Sequence, residues 1–166
     1  SCDNEEFPNE SSRQGSMSLN VDRQLPKSMR AVETADFPVT IYSVAENKEF
    51  ATYERADQVP NQIKMPVGNY YAEAHTPGVF EKIMNAPYYS GRDEFEILQG
   101  INTQSTVVCR MANGSFTVKY TDLFKEAFAS WTISIDDGTA SAIVYTSDKD
   151  GLEPPTLYMR FEEHVD

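Results

Sequence analysis

The chain has 166 residues, the length of one ordinary domain, and carries 26 acidic against 14 basic side chains for a formal charge of −12. That balance argues against a nucleic-acid partner, whose phosphates must be met by clustered Lys and Arg, and against an electrostatic grip on anionic lipid. Val, Thr and Ile together number 32 against 6 Leu, alongside 9 Tyr, 9 Phe and 1 Trp, a composition that suits pleated, half-buried strands and not a helical bundle.

Residues 1–14 are polar and acidic without periodicity and read as a solvated tether. Gly15–Val21 then alternates, with Met17, Leu19 and Val21 on one face, as in an edge-type strand. Residues 22–36 read as a linker. From Phe37 the strand signals recur at short intervals. Phe37, Val39 and Ile41 alternate with Thr40, Tyr42 and Val44, and Phe50–Tyr53 is a shorter run. Between Gln62 and Thr76 two strands flank a Met65-Pro66-Val67-Gly68 turn, the second with Tyr70, Ala72 and Ala74 on one face. Further strands are expected at Glu94–Leu98, Thr103–Ala112, Ser115–Tyr120, Trp131–Asp136, Thr139–Tyr145 and Thr156–Phe161. Asn113-Gly114 and Asp137-Gly138 are the hairpin signals between them.

Two short segments read as helix. They are Val79–Met84 and Asp122–Ala129, the latter capped by Asp122 or Thr121. The pattern as a whole predicts an all-β chain, an antiparallel β-sandwich with two short helices, forming a single domain over residues 15–166. Trp131, Ile133 and Ile135 share one strand face and are expected in its core.

Little in the sequence points to catalysis. Cys109 falls on the alternation of Val107, Cys109 and Met111 and reads as an ordinary buried side chain. Two cysteines make neither a zinc site nor a disulfide framework. Asp148, Asp150, Gly151 and Glu153 outline a calcium-like loop, but Pro154 and Pro155 follow at once and the flanks are strands, so a solvated turn is expected. No cofactor or metal is expected. Tyr70, Tyr71, Tyr88, Tyr89 and Trp131 offer the rings of a sugar-stacking platform, although alternation turns half of them inward. Tyr88 and Tyr89, in a Pro-Tyr-Tyr-Ser-Gly stretch, are the rings most expected to be exposed.

Three groups of residues carry a family resemblance. The first is Asp36-Phe-Pro-Val-Thr-Ile-Tyr42 after a linker with Arg30-Ala31. The second is Met65-Pro-Val-Gly-Asn-Tyr-Tyr-Ala-Glu-Ala74, with Ala86-Pro-Tyr-Tyr-Ser-Gly91 and Phe95-Glu-Ile97 after it. The third is Cys109-Arg-Met-Ala-Asn113 with Val118-Lys-Tyr-Thr-Asp-Leu-Phe-Lys125. Over roughly residues 15–146 the chain resembles surface lipoproteins of Gram-negative gut anaerobes that are grouped with fimbrillin-like adhesion proteins. The resemblance implies a transthyretin-like or immunoglobulin-like sandwich and no enzyme activity. It implies no established ligand. The leading expectation is a structural or adhesive protein at the outer-membrane surface, and the alternative is a binding module for a carbohydrate or another host or dietary ligand.

It also implies a lipid anchor at Cys2, since Ser1 suits the small residue before an acylated Cys and Asp3-Asn4-Glu5-Glu6 resembles an outward-routing acidic patch. In fimbrillins a cut after an Arg in an early loop removes the first strand and opens a groove for the next subunit. Arg30 lies where such a processing site would fall. Glu162, Glu163 and Asp166 form a charged end poorly suited to filling an apolar groove, so an uncut monomer is the expectation.

Overall fold

The computed structural model describes residues 13–25, 33–135, 143–146 and 153–160. In chain order the strands are β1 (Gln14–Arg23), β2 (Val39–Ser43), β3 (Lys48–Tyr53), β4 (Ile63–Pro66), β5 (Gly68–His75), β6 (Ile83–Met84), β7 (Tyr89–Ile97), β8 (Asn102–Met111), β9 (Asn113–Phe116), β10 (Thr132–Ile135), β11 (Ile143–Thr146) and β12 (Leu157–Arg160), with one helix, α1 (Asp122–Ala127). The chain is all-β in class. Its described residues divide into two compact units, one drawn from positions 13–79 and 88–111, the other from positions 80–87 and 112–160.

The first unit is a seven-stranded sheet in the order β3-β2-β5-β7-β8-β1-β4. Its core is the inward half of each alternation. Met17, Phe37, Val39, Ile41, Tyr70, Ala72, Ala74, Val107 and Cys109 are all buried, as the spacing of two requires. Ile63 and Met65, on the edge strand β4, share that core with Val39 and Ile41 from the far side of the sheet, so the sheet curls around one apolar interior.

The corner between β4 and β5 makes the curl. Pro66-Val67-Gly68 does not join two paired strands. β4 pairs with β1, whereas β5 pairs with β2 and β7, so one stretch of chain runs from the edge of the sheet at β4 to its interior at β5. Gly68 takes φ 149°, a conformation open to glycine, and the Tyr70 hydroxyl donates to the Pro66 carbonyl at 2.9 Å across the bend.

β7 and β8 are in ladder register at Tyr89↔Met111 and Ser90↔Arg110. Further along, side chains bridge them. Ser105 Oγ donates to Asp93 at 2.6 Å and Thr103 Oγ1 to the Glu96 carbonyl at 2.9 Å.

Several expectations are corrected. The sheet is mixed, because β1 runs parallel to β8 over Ser16↔Asn102 to Arg23↔Cys109. Alternation reveals which face is dry but not strand direction. β1 is also no edge strand, since β4 covers its other side, and it extends to Arg23, which shortens the expected linker. Residues 79–84 are not helical and end in the short strand β6. Residues 1–12, including Cys2, and the stretch 26–32, including Arg30, lie outside the described residues.

The second unit contains a three-stranded sheet, β6-β12-β9, and the antiparallel ribbon β10-β11, joined through residues 136–142, which lie outside the described residues. Asn113-Gly114 forms no hairpin turn. β9 pairs with β12, and Asn113 is wholly buried, donating its amide to the Ala86 carbonyl at 3.3 Å. Its turn-forming chemistry is used instead as a side-chain clip.

Helix α1 is capped by Thr121, whose Oγ1 accepts from Phe124 N at 3.2 Å. It buries no residue. Trp131 is therefore half-buried and not in a strand core. Its ring meets Tyr120 at 5.1 Å and Phe124 at 5.2 Å, edge to face, in a small aromatic cluster.

Candidate functional site

Three strands of the first unit align an ordered row of side chains on the outer face of its sheet. Alternation turns Ile41 and Ala72 inward, and so turns Tyr42 of β2 and Tyr71 of β5 outward. The register sets these two tyrosines directly opposite each other. Their rings stack with centroids 4.8 Å apart and planes 19° from parallel. On β7, Arg92 lies diagonal to Tyr71, paired with Glu73, and places its guanidinium carbon 3.7 Å from the Tyr71 ring centroid.

Arg92 is held in turn by Glu94, 3.1 Å from its Nη2. Tyr71 thus has a ring on one face and a cation on the other. Each contact contributes on the order of 0.5–1.5 kcal/mol. The row is fixed before anything binds. Partial burial is the main cause that raises the Tyr42 phenol above its ordinary pKa, and the carboxylates of Glu73 and Glu49 add to it. The hydroxyl is therefore a neutral donor and acceptor at any physiological pH.

Beside the row lies an open depression of about 540 Å³, lined by Val44, Asn47, Asn69, Tyr71, Arg92, Glu94 and Glu96 among others. The β2–β3 turn forms one wall. Asn47 takes a left-handed φ of 50°, which Asn tolerates better than most residues, and Val44 N donates to the Asn69 carbonyl at 3.0 Å, tying the turn to β5. A second depression of about 620 Å³, lined by Arg13, Glu46, Gly68, Gln99 and others, shares Glu96 with the first. Amides, phenols, carboxylates and the guanidinium groups of Arg92 and Arg13 are the chemistry here. Such a set offers hydrogen-bond donors and acceptors together with apolar packing surface.

The residues singled out from sequence lie elsewhere. Tyr88 and Tyr89 are 6% and 3% exposed, which corrects the expectation of an exposed pair. The Pro-Tyr-Tyr-Ser-Gly stretch enters β7 at Tyr89, whose ring turns inward beneath the Arg23 guanidinium, 4.3 Å from its centroid. Tyr88 stacks on His75 at 5.8 Å, and burial raises its phenol pKa. Of the five rings considered for a platform, Tyr71 stands on the candidate face and Tyr70 is 5% exposed in the core. Tyr42 and Arg92 went unnoticed. Their outward positions are legible from alternation, but the register that brings them to Tyr71 is not.

Asp148, Asp150 and Gly151 lie outside the described residues, and Glu153 accepts from the Tyr120 amide at 3.0 Å. The profile of one family, described as Domain of unknown function (DUF4493), matches residues 13–166. No curated protein matches the chain.

Proposed function

The chain belongs to the DUF4493 family, and from that starting point we propose that it is a non-enzymatic, lipid-anchored protein of the outer-membrane surface with an adhesive role. The observation that carries the adhesive part is the Tyr42–Tyr71–Arg92 row, a rigid, outward-facing set of binding groups beside an open depression. A preformed set loses little side-chain entropy on contact, which favours reversible recognition. Its openness suits a partner that is itself large.

The anchor rests on Cys2, which follows the small residue Ser1 and precedes Asp3-Asn4-Glu5-Glu6. Paired acyl chains on such a Cys hold a protein to a membrane at about 0.8 kcal/mol per buried CH₂.

The full-length precursor, produced in its native host with an alkyne-tagged palmitate, is expected to carry the label and to be shaved from intact cells by added protease. Cys2→Ser protein is expected unlabelled and released. Label that persists in Cys2→Ser would overturn the anchor, and full protection on intact cells would overturn the surface location. Turnover of any substrate in a glycoside panel by the purified protein would overturn the non-enzymatic reading.

A further inference from the structure

We infer that the depression beside the Tyr42–Tyr71–Arg92 row is a binding site for a neutral, hydroxyl-rich glycan. The inference rests on the adhesive reading of this face and adds the chemical class of its ligand. Charge narrows the class first. Glu94 is offset by Arg92 in the depression and Arg13 lines the adjoining one with Glu46, which leaves Glu96 as the excess charge, within a chain of formal charge −12. A sulfated or uronate-rich polymer meets repulsion there. Arg92 is already paired with Glu94, so the depression offers a basic peptide one unpaired carboxylate, Glu96, and no acidic cluster to hold it. A neutral ligand meets no repulsion and needs no counter-charge.

Hydrogen-bonding capacity then selects among neutral ligands. The Glu96 side chain has no ion-pair partner among the described residues, which leaves its carboxylate open to hydroxyl donors. The Asn47 and Asn69 amides each donate and accept, the combination that a sugar's adjacent hydroxyls require. Val44, 52% exposed, and the edge of Tyr71 supply apolar contact for ring CH groups. Both faces of Tyr71 are already covered, so the sugar meets its edge and hydroxyl, not its face. Glu96 lines both depressions, and a ligand of several sugar units can therefore extend from one into the other.

The test is native gel electrophoresis of the whole chain through gels containing mannan, arabinoxylan, mixed-linkage β-glucan or starch, with heparin and polylysine as charge probes. At least one neutral polysaccharide is expected to retard the protein. Asn69→Ala and Glu96→Gln, both at exposed positions, are expected to weaken that retardation at least fivefold with melting temperature unchanged. Glu54→Gln, outside both depressions, is expected to leave it intact. Retardation by no neutral polysaccharide, or retardation unchanged in both variants, would overturn the glycan assignment. If heparin or polylysine alone were bound, and lost in the same variants, the assignment would fall while the adhesive face stood. If no probe responded to either variant, the adhesive reading of this face would fall with it.

Discussion

At the scale of single residues, Cys109 shows how burial silences a reactive group. Its side chain is wholly buried, and its thiol faces the Ala74 carbonyl at 3.5 Å. Burial, with Asp22 adding to it, pushes the thiol pKa up to about 11. The native protein at pH 8 is therefore expected to resist iodoacetamide at Cys109, with labelling of that peptide by mass spectrometry only in urea. Labelling in the native state at the rate of a free thiol would contradict the burial. The sign for stability follows from the raised value. The unfolded thiol ionises first, so stability is complete below the ordinary thiol range and falls as pH rises through it toward about 11.

Gly91 is a second such position. A Cβ there would collide with the Val108 carbonyl oxygen, a backbone atom that cannot swing away. Gly91→Ala is expected to cost about 1–3 kcal/mol or more in urea unfolding, and a cost near zero would mean that β7 and β8 can separate there. Alternation was enough to bury Cys109 correctly. It failed at Tyr88 and Tyr89, because the start of β7 and the cover provided by His75 are not written in local sequence.

At the scale of elements, β1 carries more of the fold than an edge strand would. It is paired on both sides, and Met17 is wholly buried against residues from both ends of the sheet. Met17→Ala is expected to cost about 2–5 kcal/mol. A chain beginning after Arg30 is expected to be insoluble or unfolded by circular dichroism, since loss of β1 leaves β4 and β8 without their shared partner. A soluble, folded, truncated chain that assembles into ladders would instead support strand exchange between subunits.

Element positions were largely legible because half-buried strands print a period of two. Pairing was not. The Asn113-Gly114 step has ideal turn chemistry, yet Asn113 gains more as a buried clip to Ala86 than as a turn residue. On α1, Leu123 is 77% exposed, while Phe124, with Phe128 just past the helix end, gathers with Tyr120 and Trp131.

At the scale of the whole molecule, the acidic charge and the all-β class were readable from composition. The candidate face was not, since it exists only when register sets Tyr42, Tyr71 and Arg92 in a row across three strands. The most direct test of its adhesive role uses bacterial cells that display the full chain, passed under flow over immobilised polysaccharides and extracellular-matrix proteins. Removing two ring and cation contacts with a Tyr42→Ala/Arg92→Ala variant costs on the order of 1–3 kcal/mol, less than a typical domain's stability. Cells carrying the native chain are expected to be retained on at least one surface, and cells carrying the variant, at equal display level, to be released. Equal retention of the two, or retention of neither on any surface, would contradict the proposal that this face is where the protein adheres.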